Sequence, residues 1–264
     1  MNKRTILIAV RLAISLLTLG ALSAQLIVHV RSEFSVVNSF SYFTNLSNLF
    51  AAVVMLIGAA YPIQHRDPNP TQDLVRGSSV AGMVVVGIVF SILLRGHDLG
   101  SLMPWVNTVT HYVMPIAVAL DWLYQPPKSS LALSQVQYWL IFPLIYLVYT
   151  LVRGAIVGWY PYPFLNPANV GGYGGVLLYS LAIIVLFLVI SWVLMTLSNT
   201  LRLKIAQPVV SLWDISDESS ADLMSRLYRA MLKEQKTPAA ALRTAQRGLG
   251  RNQIRWTCRL GDRV

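Results

Sequence analysis

Over the first two hundred positions, apolar residues gather into long runs instead of alternating with polar ones at a strand period. Six such runs stand out, at 6–28, 44–61, 74–94, 106–124, 137–157 and 174–197. Each is long enough to cross a hydrocarbon core of about 30 Å as an α-helix. The gaps carry turn chemistry: H-R-D-P-N-P-T from His65, Q-P-P-K-S-S from Gln125, and three prolines and four glycines over 160–175. The pattern predicts an all-α polytopic membrane protein, with six transmembrane helices over residues 1–201. A small cytoplasmic α/β tail follows over 202–264. Lys3 and Arg4 ahead of an apolar run that ends in Ala21-Leu22-Ser23-Ala24 resemble a cleavable leader. Arg11 interrupts that run and five more follow, so the reading is a retained first helix.

Composition narrows the class. The 264 residues are 55% hydrophobic and 12% charged, which excludes a soluble single-core enzyme for the first two hundred positions. The formal charge of +10 is unevenly placed: residues 1–201 hold nine Lys/Arg and five Asp/Glu, whereas 202–264 hold twelve and six. With six crossings, one face carries Lys3, Arg4, Arg66, Arg76, Lys128, Arg202 and Lys204, and the other only Arg31 and Arg95. Both termini are therefore expected to be cytoplasmic, in a bacterial inner (plasma) membrane. Trp122, Tyr124, Tyr138 and Trp139 then fall at the inner interface, and Trp105, Trp159, Tyr160 and Tyr162 at the outer one. The single cysteine, Cys258, excludes an intramolecular disulfide and a thiolate-based metal cluster.

Ionisable side chains inside a span must be paired or solvated. Arg11 and Asp121 share a depth near the cytoplasmic ends of the first and fourth runs. They form either an interhelical pair or two side chains that snorkel separately to the interface. A second group gathers near the outer face: Thr44, Asn45, Ser47 and Asn48 open the second run, Asn107 and His111 open the fourth, and Arg153 lies below the outer end of the fifth. A hydroxyl nucleophile needs a base for its proton and donors for the oxyanion. Thr44 could supply the hydroxyl, His111 the base, and Asn45, Asn48, Asn107 or Arg153 the donors. The plainer alternatives are a neutral core histidine bonded to a neighbouring helix and interhelical asparagines.

The stretches Tyr42-Phe43-Thr44-Asn45-Leu46-Ser47-Asn48-Leu49, Trp105-Val106-Asn107 with His111 and Pro115, and Trp159 through Tyr162-Pro163-Phe164-Leu165 resemble the androgen-induced family of multi-pass membrane hydrolases. The resemblance covers roughly residues 5–200. It implies a six-helix-like membrane fold and a threonine–histidine pair that cleaves lipid esters, notably those joining fatty acids to hydroxy fatty acids. The family's nucleophile falls on Thr44, its histidine on His111 and an acidic residue on Asp121. Members with known activity carry a further histidine directly after the asparagine, where this chain has Thr108.

Other motifs carry less. Gly154-x-x-x-Gly158 permits close helix packing. His29, His65 and His97 fall in separate loops without ligand spacing, so neither a metal nor a cofactor is expected. The tail reads as a short strand at 208–213, then a helix starting at Ser216 with Leu223, Met224, Leu227, Tyr228, Met231 and Leu232 on one stripe. A second helix follows, capped by Thr237-Pro238, with Ala241, Leu242, Ala245 and Leu249 inward, and a last strand at 256–261. Residues 208–262 resemble the C-terminal end of CHAT domains, caspase-like peptidase domains of bacteria, through V-V-S-L-W-D-I-S-D-E-S-S-A-D-L-M and K-T-P-A-A-A-L-R-T-A-Q. The resemblance implies that the peptidase histidine and cysteine would precede this stretch, where membrane runs stand, so the chain is not read as a cysteine peptidase. The expected partners are membrane lipids and a candidate protein partner of the tail. No nucleic acid is expected, because the tail's basic residues are interspersed with acids. Three functions stay open: a lipid ester hydrolase, a non-catalytic protein binding lipid or a small solute, and a structural membrane anchor with an interaction tail.

Overall fold

A computed structural model describes residues 3–64, 69–95, 103–127, 130–206 and 217–251. All secondary structure among them is helical. The order is α1 (Lys3–Arg31), α2 (Val36–Phe40), α3 (Phe43–Ile63), α4 (Pro70–Val89), α5 (Pro104–Thr108), α6 (Met114–Tyr124), α7 (Leu133–Val136), α8 (Ile141–Val157), α9 (Tyr173–Ala206), α10 (Asp217–Leu232) and α11 (Pro238–Arg251). α4 runs on as a π-helical turn over Phe90–Leu94, and a second π-helical turn, Val109–Val113, joins α5 to α6. The chain divides into two compact units, Met1–Ile205 and Ala206–Val264.

Five helices among the described residues are long and apolar enough to cross a membrane: Arg4–Arg31, Phe43–Ile63, Pro70–Leu94, Leu133–Val157 and Tyr173–Arg202. The expectation was six. The predicted fourth crossing folds as one helical rod from Pro104 to Tyr124, but Asn107, Thr108, Thr110, His111 and Asp121 lower its hydropathy. Thr110 and His111 turn inward, with Val106, Met114, Val118 and Trp122 also buried, while Thr108 is exposed. Ile145, Val148, Val152 and Ile156 of α8 and Leu177, Leu178, Leu181 and Val185 of α9 point outward, an apolar surface compatible with membrane insertion.

Between apolar helices in lipid, close approach of backbones replaces the hydrophobic drive. Small residues line the contacts: Ser15 and Thr18 of α1, Ala51, Ala52, Gly58 and Ala59 of α3, Gly77 and Ala81 of α4. Gly77 also seats the Trp139 indole, which a Cβ there would hit. Trp139 packs edge-on to Trp122, centroids 6.2 Å apart. Both are fully buried, so neither ring faces outward. Asn69 caps α4 by accepting from the Gln72 N–H, with Pro70 as the first helical residue. The helix thus begins four residues before the predicted run.

Three more sequence expectations shift. His29 belongs to α1 instead of a loop, buried between Gln25 and Ser39; His65 and His97 lie outside the described residues. The close packing expected of Gly154 is internal, against the Tyr160 ring, whereas Gly158, at φ 72°, ends α8 in a left-handed cap. In the second unit α10 and α11 pack around Ala230, Ala241 and Ala245; of the predicted α10 stripe, Leu223, Leu227 and Met231 are half-buried, and Met224, Tyr228 and Leu232 are exposed, as is Leu242 of α11. The predicted strands at 208–213 and 256–261 lie outside the described residues.

Candidate active site

Thr44 occupies the second position of α3, after the extended N-cap residue Tyr42. The first amides of a helix have no intrahelical acceptor. Here the Thr44 N–H donates to the Tyr162 phenol oxygen at 3.2 Å. The same oxygen lies 3.3 Å from the Thr44 hydroxyl, and His111 Nε2 lies 3.3 Å from that hydroxyl on another side. All three residues are buried.

His111 is presented by the π-helical turn, and Pro115 explains the turn. A residue at 115 would normally donate its N–H to the His111 carbonyl; proline has none, and its ring crowds that carbonyl, so the preceding turn widens. Gly87 of α4 gives the widened turn room: a Cβ there would press on the Pro115 ring at 3.3 Å. Phe90 stacks on the imidazole, centroids 3.8 Å apart.

The ring's other nitrogen sets the tautomer. Nδ1 lies 3.2 Å from the Asn107 carbonyl oxygen, which can only accept, and 3.1 Å from the Thr110 hydroxyl oxygen. Thr110 already donates to the Val106 carbonyl. The proton is therefore on Nδ1, and Nε2 presents its lone pair to Thr44. The Thr44 hydroxyl donates to Nε2, the relation of a nucleophile to its general base. The Tyr162 O–H then donates to the free lone pair of the Thr44 oxygen. Burial pushes the Tyr162 phenol up to about 12, so it is a neutral donor across the physiological range.

Thr44 and Tyr162 line an apolar cavity of about 90 Å³ between α3, α4, α8 and α9. Val86, Phe90, Leu144, Leu147, Ile183 and Phe187 form much of its wall. Apart from the hydroxyls of Thr44, Tyr146, Tyr162 and Ser180 its wall is apolar, which suits an apolar group.

The other candidates are placed as follows. Asn45 Nδ2 donates to the Ser39 carbonyl at 2.7 Å. Asn48 Nδ2 donates to the carbonyls of Thr44 and Thr110, at 2.8 and 3.1 Å, tying α3 to the π-helical turn. Asn107 gives its backbone carbonyl to His111, and its side-chain oxygen is buried without a hydrogen bond in the described structure. Arg153 donates to Asn38 at 2.5 Å and lies over the Trp159 ring, 5.4 Å from its centroid. None of these four lines the cavity. Tyr162 entered the sequence reading as an interface aromatic and, like Pro115, as part of the motifs that carry the resemblance; neither was given a role at the site, and Phe90 was not singled out at all. Pro115 carried a legible signal, a proline four positions after a histidine inside an apolar run.

Further along α3, Arg11 Nε and one terminal nitrogen grip Asp121 at 2.6 and 2.9 Å, while its other terminal nitrogen donates to the Gly58 carbonyl at 2.7 Å. Arg76 donates to the second Asp121 oxygen at 3.1 Å and pairs with Asp73. Gln125 accepts from Arg11 through its side chain and from Arg76 through its backbone. Two guanidiniums and two carboxylates thus neutralise one another inside the bundle, joining α1, α3, α4 and α6. Thr44 and Gly58 are about 20 Å apart along α3, so this network does not touch the reactive pair.

Among known families, a model of the CHAT domain matches residues 205–256. The match covers a minor part of the chain and lies in the tail. That stretch contains neither a histidine nor a cysteine. No curated protein and no solved structure matches the chain.

Proposed function

We propose that the chain is a multi-pass membrane protein that hydrolyses lipid esters, with Thr44 as nucleophile and His111 as general base. The observation that carries this reading is the 3.3 Å contact between the Thr44 hydroxyl and the unprotonated nitrogen of His111, at the wall of an apolar cavity. An acyl chain lies in the cavity with its carbonyl carbon at Thr44. The hydroxyl oxygen attacks that carbon as its proton passes to Nε2. Collapse of the tetrahedral intermediate expels the alcohol, which takes the proton back from His111, and leaves an acyl-threonine. Water, deprotonated by the same nitrogen, then releases the fatty acid. The resemblance to the androgen-induced hydrolases supports the same two residues. In this reading Pro104–Tyr124 is a sixth crossing, both termini are cytoplasmic, and Arg11 with Asp121 is a structural pair.

The test is labelling of purified full-length protein with a hydroxyl-directed fluorophosphonate, together with turnover of p-nitrophenyl acyl esters. The expected result is adduct on Thr44, abolished in Thr44→Ala and strongly reduced in His111→Ala. Labelling and turnover that survive both substitutions overturn the mechanism. Retention of lipid without turnover in the wild-type protein identifies a binding protein instead.

A further inference from the structure

We infer that Tyr162, and none of the polar residues near Thr44 in sequence, donates the hydrogen bond that stabilises the oxyanion when Thr44 attacks an ester carbonyl. The assignment rests on the Thr44–His111 reading above. It begins from where donors are free to act. The Nδ2 groups of Asn45 and Asn48 are committed to backbone carbonyls, and Arg153 to Asn38 and the Trp159 ring. None of them reaches the cavity wall, whereas Tyr162 stands on it beside Thr44. Of the other wall hydroxyls, Tyr146 donates to the Ser41 carbonyl at 2.9 Å; Ser180 Oγ is buried without a hydrogen-bond partner, but no contact joins it to Thr44, whereas Tyr162 is bonded to the reacting residue itself.

The direction of the hydrogen bonds then fixes what the phenol can do. Its oxygen accepts from the Thr44 N–H, which leaves its O–H pointing at the Thr44 oxygen, the atom that reacts. On attack, a lone pair of that oxygen forms the new C–O bond, its proton goes to His111 Nε2, and the carbonyl π pair moves onto the carbonyl oxygen. The phenol proton loses its acceptor at the moment a negatively charged one forms within one bond angle of it. The donor is strongest where charge develops, which is the requirement for lowering a barrier instead of tightening ground-state binding. When the intermediate collapses, the π pair is restored and the phenol proton returns to its resting partner, so Tyr162 is neither consumed nor ionised.

The ring is held for this work. It stacks on Phe164, centroids 5.2 Å apart and 4° from parallel, and meets Tyr42 edge-on at 5.7 Å. Phe164 belongs to the short 3-10 turn Pro163–Leu165, whose Leu165 N–H bonds back to the Tyr162 carbonyl at 3.1 Å. A donor fixed by packing costs little reorganisation during the reaction.

The experiment measures kcat and KM for p-nitrophenyl esters with the full-length protein in nanodiscs, in wild type, Tyr162→Phe, Thr44→Ala, and a variant with 2,3-difluorotyrosine at 162. Tyr162→Phe keeps the stacked ring and is expected to lower kcat by about 10²-fold while KM stays within a few-fold. Difluorotyrosine is expected to restore turnover and to move the alkaline limb of kcat to lower pH, because a phenolate cannot donate. Full turnover in Tyr162→Phe with none in Thr44→Ala overturns the role of Tyr162 and leaves the Thr44–His111 reading intact. An alkaline limb that ignores the fluorination does the same, including where the phenylalanine variant fails to fold. Turnover that survives Thr44→Ala overturns both.

Discussion

His111 Nε2 stands 3.3 Å from the Thr44 hydroxyl, and the carbonyl of Asn107 on the far side of the imidazole makes that nitrogen an acceptor. A threonine bonded to an imidazole N–H would be an ordinary interhelical contact. Bonded to the lone pair, it is poised to lose its proton.

The hydroxyl and the shape of Thr44 separate cleanly by substitution. Thr44→Ser keeps the hydroxyl and is expected to retain turnover. Thr44→Val keeps the shape and is expected to abolish it. The valine variant also leaves Tyr162 and His111 without a shared partner, a cost of about 1–3 kcal/mol in stability. Thermal unfolding alongside ester turnover reads both effects.

Pro115 is expected to act on activity through backbone geometry alone. Pro115→Ala restores the N–H that can bond the His111 carbonyl, so the π-helical turn can tighten and swing the imidazole away from Thr44. Turnover should fall by about 10²-fold, the usual consequence of misplacing a reacting group by about 1 Å, with no loss of thermal stability. Unchanged turnover would separate the π turn from the activity.

At the buried ion cluster the two partners of one bond should differ. Asp121 serves both Arg11 and Arg76, so Asp121→Asn leaves two guanidiniums facing a neutral amide. A loss of about 3–5 kcal/mol is expected. Arg11→Met leaves Asp121 still paired with Arg76 and should cost less. Denaturant unfolding in detergent compares the two, and the opposite ranking would show that Arg76 does not support Asp121.

Gly77 is expected to tolerate no side chain. Gly77→Ala drives a methyl into the Trp139 indole and should destabilise the bundle by about 1–3 kcal/mol. Trp139→Phe in the same chain should recover most of that loss. Gly58→Ala is the control: its methyl would meet the Arg11 guanidinium at 3.4 Å, an ordinary contact.

If the apolar cavity holds an acyl chain, narrowing it should select shorter ones. Ile183→Trp on its wall is expected to depress kcat/KM for a p-nitrophenyl ester of a long acid more than for the butyrate. Equal losses for both would place the chain elsewhere.

Much of the bundle was legible because a helix in lipid must satisfy its own backbone and show apolar side chains, a demand that leaves a mark on every residue of the run. The limits of α3, the end of α8 and the start of α9 follow from it, whereas α9 runs on to Ala206, past the predicted 197. The fourth run was harder because Thr110 and His111 turn inward, a fact of packing that hydropathy cannot register. The inward turn of Trp122 and Trp139 did not show in the pattern for the same reason: a tryptophan near a helix end looks alike whether its ring faces headgroups or, as for Trp139, a glycine on another helix. Arg76 was counted among the charges flanking a span, and only the fold turns it inward to meet Asp73 and Asp121.

The sequence by itself determined the long apolar helices, the turn that opens α11 at Pro238, and the residue types able to act as nucleophile and base, since these follow from local composition. Tertiary structure decided which of those residues meet. Thr44, His111 and Tyr162 come from three segments, and their distances depend on a proline-widened turn, a glycine that makes room for it and a stack of rings. It also decided the direction of each hydrogen bond, because whether a nitrogen donates or accepts is set by the group on its far side, and that group is fixed by the fold.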